Sequence, residues 1–477
     1  MMKDFVTKNR DFLICCMIIA AVYLLDSLIF FSQMYMMYDY FSEKTINAVS
    51  TGWAYLAQGA GLTLFIFLYK TRSRLSARRA FQVATFLMEV PVIIVSVLVP
   101  GETLLMIMII VLNIIAGFHT GFTFTLASAH VPVSRLGLCY GLAYAVGALG
   151  TWLISVINGG VMTSHRIIFA DSLIIAFVVV IILMYRDAVA NEQVLETDGT
   201  GVARPADIAK TPNRLSVDTA RGRKYLILLC VIIAIMAPIS SIGTNNNLYV
   251  EYCRELNLLA QRSFYALGLV AAGLIFDRNR IIGGVCTVVS LIYPIILIMI
   301  YRESGMVALV VGLSYAILGF FSVYRAASLM AVAAENGKLM LAPLGLAVAR
   351  VCEAVTVLAI TQIGFGETTS VILVSVLFIP LVILFFFMTK EELTPVEIPQ
   401  ESVRELSADE RRAAFAGLYG LTRREEEIAM FLSEGRSNGE IAEILKLSEN
   451  TVRFHVSNVL KKTGMKDRNE VSRAYRQ

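Results

Sequence analysis

Along most of the chain, apolar residues do not alternate with polar ones. They run together in blocks of about 20, the length a helix needs to cross a bilayer core. Twelve such blocks are predicted, near 12–32, 48–69, 80–99, 103–127, 136–157 and 166–185, then near 225–245, 259–276, 281–301, 306–325, 341–363 and 369–389. Residues 186–224 between the two sets are polar, charged and broken by Pro205 and Pro212, and read as a solvated cytoplasmic loop. The pattern therefore predicts a cytoplasmic N-terminus (1–11), a first six-helix half (12–185), the loop, and a second six-helix half (225–389). Residues 390–406 are charged, hold Pro395 and Pro399, and read as a linker.

From 407 to 477 short amphipathic stretches replace the long apolar blocks. Ser407 with Glu410 announces a leading helix, and four short helical units follow, three opened by an acceptor side chain with Glu three residues on: Thr422 with Glu425, Ser437 with Glu440, Asp467 with Glu470. Between the second and the last, Ser448 precedes the run ENTVRFHVSNVLKK, which Gly464 closes. Ile428, Leu432, Ile441, Leu445, Val452, Val456 and Val459 recur at helical spacing and give each helix an inward face. The expected fold class is all-α: a polytopic bundle of twelve transmembrane helices followed by a small four-helix domain.

Composition supports a membrane chain, with 57% hydrophobic residues, 16% charged residues and a mean hydropathy of +0.69. A soluble enzyme, a secreted disulfide scaffold and a disordered chain all fit poorly. The net charge of +4 says little, but its distribution says more, since about the last 90 residues hold 15 of the 41 basic side chains. Flanking Lys and Arg favour one side of the membrane by 20 to 5, which predicts both termini in the cytoplasm. The first apolar run is too long for a cleaved signal, carries Asp26 and lacks a small-residue cleavage site. Seven cysteines, mostly inside apolar runs, show no metal spacing, and neither do the four histidines. With no Walker loop and no G-x-S-x-G, neither enzymatic activity nor a cofactor or metal is expected.

The chain between the eighth and ninth blocks reads GLIFDRNR, with Gly273, Asp277, Arg278 and Arg280. It resembles the cytoplasmic G-x-x-x-D-R-x-x-R signature of the major facilitator superfamily, which implies two six-helix halves around a midplane cavity and makes Asp277 and Arg278 conformational-gate candidates. The corresponding first-half loop, FLYKTRSRLSARR, is basic but has no Asp. Departing there from the transporter pattern, the sequence weakens the expectation of transport.

LTRREEEIAMFLSEGRSNGEIAEILKLSENTVRFHVSNVLKKTG resembles the LuxR-type helix-turn-helix domain over its whole length, through Thr422, Glu425, Gly435, Glu440, Thr451, Val452 and their neighbours. Gly439 and Thr463 depart from the usual pattern. The second helix of such a pair lies in the major groove. Arg453, Phe454 and Ser457 match the family's base-reading positions, while Asn450, Thr451, Lys461 and Lys462 are better placed for phosphates. The resemblance implies double-stranded promoter DNA as partner, a homodimer formed through the last helix, and contact with RNA polymerase. Transmembrane proteins with this domain form a recognisable bacterial group, which implies an inner-membrane location and an unidentified small-molecule ligand.

Polar groups inside spans are costly and are candidates for ligand sensing. They are Asp26, Glu89, Asn113, His119, Arg350 and Glu353, with Asp171 in the sixth block. Arg350 and Glu353, three apart, can equally form a structural ion pair on one helix. The expected function is a one-component regulator, in which a transporter-like domain senses a small molecule and the tail reads DNA. The alternative is a transporter of the major facilitator type carrying a secondary DNA-binding tail.

Overall fold

The computed structural model describes residues 10–37, 40–73, 79–98, 101–157, 180, 216–244, 259–301, 307–393, 415–416, 419–463, 465 and 467–476, and every regular element among them is helical. The chain divides into two compact units, 1–395 and 396–477.

In the first unit, α1 runs Arg10–Met37, α2 Glu43–Thr71, α3 Arg79–Leu98, α4 Glu102–His130 and α5 Leu136–Ile157. A second series follows: α6 Ala220–Thr244, α7 Leu259–Arg278, α8 Arg280–Tyr301, α9 Val307–Asn336, α10 Leu344–Ile363 and α11 Glu367–Leu393. Every predicted span but the sixth falls on one of these helices. The sixth block with Asp171 (Val180 aside), the central loop up to residue 215 and most of the linker with Ser407 lie outside the described residues. Among the described residues, eight helices are long and apolar enough to cross a membrane. Large apolar side chains such as Leu64, Phe67, Met88, Val289 and Phe386 cover their outer faces, the surface that lipid tails take.

Two local features depart from the apolar pattern. The tenth block ends at Arg325, at its predicted cytoplasmic edge, yet α9 continues for three more turns through AASLMAVAAEN to Asn336. Arg325 is therefore a buried mid-helix charge and not a flanking one. In α2, residues Ala48–Trp53 form a π-helical turn before the helix resumes at Ala54.

The second unit holds α12 Arg423–Ser433, α13 Asn438–Leu445, α14 Glu449–Thr463 and α15 Arg468–Arg476. Two of the predicted capping boxes form in full, Thr422 with Glu425 and Ser437 with Glu440, so the first orphan N–H groups of α12 and α13 are satisfied locally. Ser448 accepts from the Thr451 N–H at 3.2 Å, and Asp467 from those of Asn469 and Glu470 at 2.8 and 2.9 Å. The predicted inward residues meet in one small core with Phe415, Ala429, Ala442 and Val471. Lys446 ends α13 in the left-handed region (φ 52°), and this tight turn swings α14 away from α13.

Candidate nucleic-acid interface and intramembrane polar cluster

On α14 the core takes Val452, Val456, Val459 and Leu460, which leaves the opposite face to solvent. That face presents Arg453, Phe454 and Ser457, with Asn450 and Lys461 beside them. Phe454 is 63% exposed, an unusual position for a phenyl ring on a small soluble module. The guanidinium of Arg453 donates to Glu449 Oε1 at 2.8 Å, one turn back, which holds it along the outer surface of the helix. Thr451 is partly covered and its hydroxyl shares a 2.8 Å hydrogen bond with Ser448 at the helix start. Lys462 is placed differently from Lys461. Its ammonium donates to Glu425 Oε2 at 2.6 Å and to the Gly420 carbonyl at 3.2 Å, so two of its three donors serve the fold. Burial pushes the Glu425 carboxyl up, but the hydrogen bonds from Lys462 and Thr422 outweigh it and hold it below the usual carboxylate range.

The intramembrane candidates fall into three groups. Asn113 of α4 donates to Gln33 of α1 at 3.3 Å and joins those two helices. Glu89 of α3 and His119 of α4 are fully buried, with Nδ1 3.5 Å from Oε2. His119 Nε2 lies 3.0 Å from the Thr85 hydroxyl, and Phe86 stacks on the imidazole at 3.5 Å. The third group is larger than the sequence indicated. Glu353 accepts from Arg350 at 3.0 Å and also from Arg325 of α9, so two guanidiniums share one buried carboxylate. Arg350 also lies over the Tyr55 ring, its Cζ 3.9 Å from the centroid. Asp26 of α1 is in the field of Arg350 and beside Thr120. Tyr23, one turn before Asp26, donates to the Tyr140 hydroxyl at 3.0 Å and stacks on Tyr144 at 4.4 Å. Asp26, Tyr23, Tyr55, Tyr144 and Arg350 all keep partial exposure. Arg325 escaped the sequence reading because it ends an apolar block and looks like a flanking charge.

At the end of α7, Asp277 reaches across to α5. Its two carboxylate oxygens accept from the backbone N–H groups of Gly137 and Leu138, each at 2.7 Å, at the helix start where orphan donors and the dipole favour an anion. A Cβ at Gly273 would stand 2.5 Å from the Gly137 carbonyl oxygen, so the motif glycine is required for this backbone approach. Arg280 pairs with Glu335 at the end of α9.

Residues 420–474 match the family described as bacterial regulatory proteins, luxR family. The C-terminal unit carries a LuxR-type DNA-binding domain. The chain is 46% identical over 54 residues to an uncharacterized transcriptional regulatory protein of Bacillus subtilis (strain 168), covering 11% of this chain and 25% of that protein. It is 47% identical over 53 residues to the transcriptional regulatory protein DegU of Brevibacillus brevis, covering 11% and 22%. The match thus spans about a quarter of the length of these curated relatives. The rest of the chain resembles solved transporters. A bacterial homologue of the iron transporter ferroportin in an outward-facing state aligns over 80% of this chain and 98% of its own, with TM-score 0.54 and 12% identity. A proton:xylose symporter of the major facilitator superfamily aligns over 80% and 95%, with TM-score 0.53 and 13% identity. At such identity the likeness shows the fold, and the chain is a multi-pass membrane protein of major-facilitator-like architecture bearing a LuxR-type domain. Within that domain Gly439 faces open space, so its departure from the family pattern disturbs no contact.

Proposed function

We propose that this chain is a membrane-embedded, one-component transcription regulator. Its major-facilitator-like unit binds a small molecule, and its LuxR-type domain binds promoter DNA in the major groove, as a homodimer that engages RNA polymerase. The protein sits in the bacterial inner membrane with both termini in the cytoplasm. The observation that carries this reading is the intact, exposed Arg453–Phe454–Ser457 face on a helix whose other side is fully used by the core. Arg453 donates to O6 and N7 of a guanine, Phe454 packs on a thymine methyl, and Lys461 with Asn450 grips phosphates and makes affinity salt-dependent. Ligand binding shifts promoter occupancy only by its affinity difference between the states of the membrane unit.

Promoter occupancy and transcripts are compared between cells with the intact protein and with Arg453→Ala, across a panel of small metabolites. A compact gene set that responds to one compound only with Arg453 intact is expected. Loss of this contact costs about 1–3 kcal/mol, roughly 5- to 150-fold in specific affinity. Indistinguishable transcripts in the two strains would sink the regulatory reading. The retained Asp277 clasp favours a second reading, a working transporter with an attached DNA-binding tail. Uptake of a labelled solute against a gradient, abolished by Asp277→Asn, would support it.

A further inference from the structure

We infer that the cleft between Asp26 and the Arg325–Glu353–Arg350 triad takes a zwitterion, a small molecule with a carboxylate and an ammonium group, of the amino-acid or short-peptide class. The inference rests on the sensing role proposed above and names its ligand chemistry. Three buried polar atoms of the cleft find no hydrogen-bond partner among the described residues: Oδ1 of Asp26 and the Nε–H groups of Arg325 and Arg350. A buried polar atom without a partner costs roughly 1–3 kcal/mol, more when charged, so three in one place point to a missing occupant.

Their signs are sorted by half. The acceptor belongs to α1 of the first half, and the donors belong to α9 and α10 of the second. An occupant that satisfies both sides must offer a donor or cation to the first half and an acceptor or anion to the second. Overall charge narrows the class further. When all are ionised, the two guanidiniums and the two carboxylates of Asp26 and Glu353 balance, and the Glu89–His119 pair, in the field of Asp26, adds no net charge while it shares one proton. A ligand of net charge would leave the midplane charged, which a low-dielectric interior penalises heavily. A zwitterion fills both ends and preserves the balance. Each guanidinium holds Glu353 through Nη1, which leaves the fork of Nε–H and Nη2–H to match a carboxylate. The π-helical turn Ala48–Trp53 just before Tyr55 fits the same picture, since such turns are frequent at functional sites. Because the ligand would touch both halves, its binding would differ between their relative arrangements, which is the property a sensor needs.

The test uses the full-length protein in lipid nanodiscs and reads binding by thermal shift and by competition. The probes are the twenty amino acids and a set of dipeptides, with N-acetyl derivatives that lack the ammonium, amides that lack the carboxylate, and neutral polyols. At least one zwitterion is expected to bind, with its N-acetyl and amide forms at least tenfold weaker. Asp26→Asn should narrow the gap between a zwitterion and its N-acetyl form. Arg350→Gln should weaken the zwitterion at least tenfold, and Arg350→Lys, which keeps the charge, should recover part of the loss and report whether the variants still fold. Equal binding of the N-acetyl form makes the cleft an anion site and overturns the proposal, and equal binding of the amide makes it a cation site. Binding of polyols alone, or of no zwitterion at all, overturns it too. The regulatory reading fails separately. It falls if a bound zwitterion leaves promoter occupancy unchanged, whereas an Arg453-dependent response to a non-zwitterion would keep it and sink this inference alone.

Discussion

The two halves of the membrane unit meet along two helix pairs related by the internal repeat, α5 with α7 and α2 with α10, and these seams are built differently. At the first, Gly273 admits backbone against backbone, and Asp277 closes the start of α5 with two 2.7 Å hydrogen bonds. At the second, the aligned run FLYKTRSR puts Phe67 where GLIFDRNR has Gly273, and Thr71 where it has Asp277. Phe67 points outward, 64% exposed, and the Thr71 hydroxyl turns back to the Phe67 carbonyl at 2.9 Å. The start of α10 follows Pro343 with no side-chain cap. Contacts there run through side chains, Gly59 against Val351 and Tyr55 under Arg350. A backbone seam tolerates little change in spacing, whereas a side-chain seam can repack by rotamer. One seam packs backbone on backbone under a carboxylate clasp, and the other packs side chains, with Arg350 laid over Tyr55.

Five substitutions test that contrast, taken from the largest expected effect downward. Glu353→Leu leaves two buried guanidiniums without a counter-charge and should cost about 3–5 kcal/mol. The melting temperature of the solubilised protein reads this, and a drop no larger than that of Asp277→Asn would remove the claim that the ion triad beside the α2–α10 seam is the stronger support. Gly273→Ala forces a Cβ against the Gly137 carbonyl and should cost about 1–3 kcal/mol. A Cβ at Gly59 has its tightest contact with the Val351 side chain at 3.1 Å, the Ala347 carbonyl oxygen standing 3.7 Å away, so Gly59→Ala should cost less; equal losses at the two glycines would erase the distinction between the seams. Asp277→Asn removes one of the two charge-assisted hydrogen bonds, since the amide NH2 cannot accept, and weakens the other, at a cost of about 1–2 kcal/mol. Cys139, buried one residue beyond Leu138, is a native reporter: its maleimide labelling, resolved by mass spectrometry, should rise in this variant and stay flat if the clasp is idle. The smallest effect comes from Thr71→Asp, which offers an anion to the start of α10 and should stabilise by about 0.3–1 kcal/mol while blunting any ligand response. A variant that melts lower would show that the second seam cannot accept the first seam's solution.

Much of this was legible in the chain because it is written in local code. Apolar blocks of bilayer length located every described span, and the capping boxes Thr422–Glu425 and Ser437–Glu440 set the helix starts of the DNA-binding domain within a residue. The outward position of Arg453, Phe454 and Ser457 followed from the resemblance to the LuxR-type domain and from the inward face that the apolar residues claim. What stayed hidden depends on contacts distant in sequence. Glu353 pairs visibly with Arg350 three residues away, but its second partner, Arg325, lies 28 residues upstream on another helix. Lys462 has the same chemistry as Lys461, and only the arrival of Glu425 from α12 separates their roles. Asp277 announced itself through a motif, yet the backbone groups it holds lie about 140 residues earlier.

The π-helical turn in α2 has a consequence in the language of descent. Such a turn carries one residue more than the α-helical repeat, so a single inserted residue can be absorbed there without breaking the helix. Deleting one residue between Ala48 and Trp53 would restore the regular repeat and turn everything before it by about 100° relative to Tyr55 and the α10 seam. The helix would remain, its composition nearly unchanged, while the ring beneath Arg350 and the residues leading to it lost their common orientation. The facing of a polar cluster inside such a helix can therefore change by length as well as by substitution, through changes that a comparison of residue identities alone would overlook.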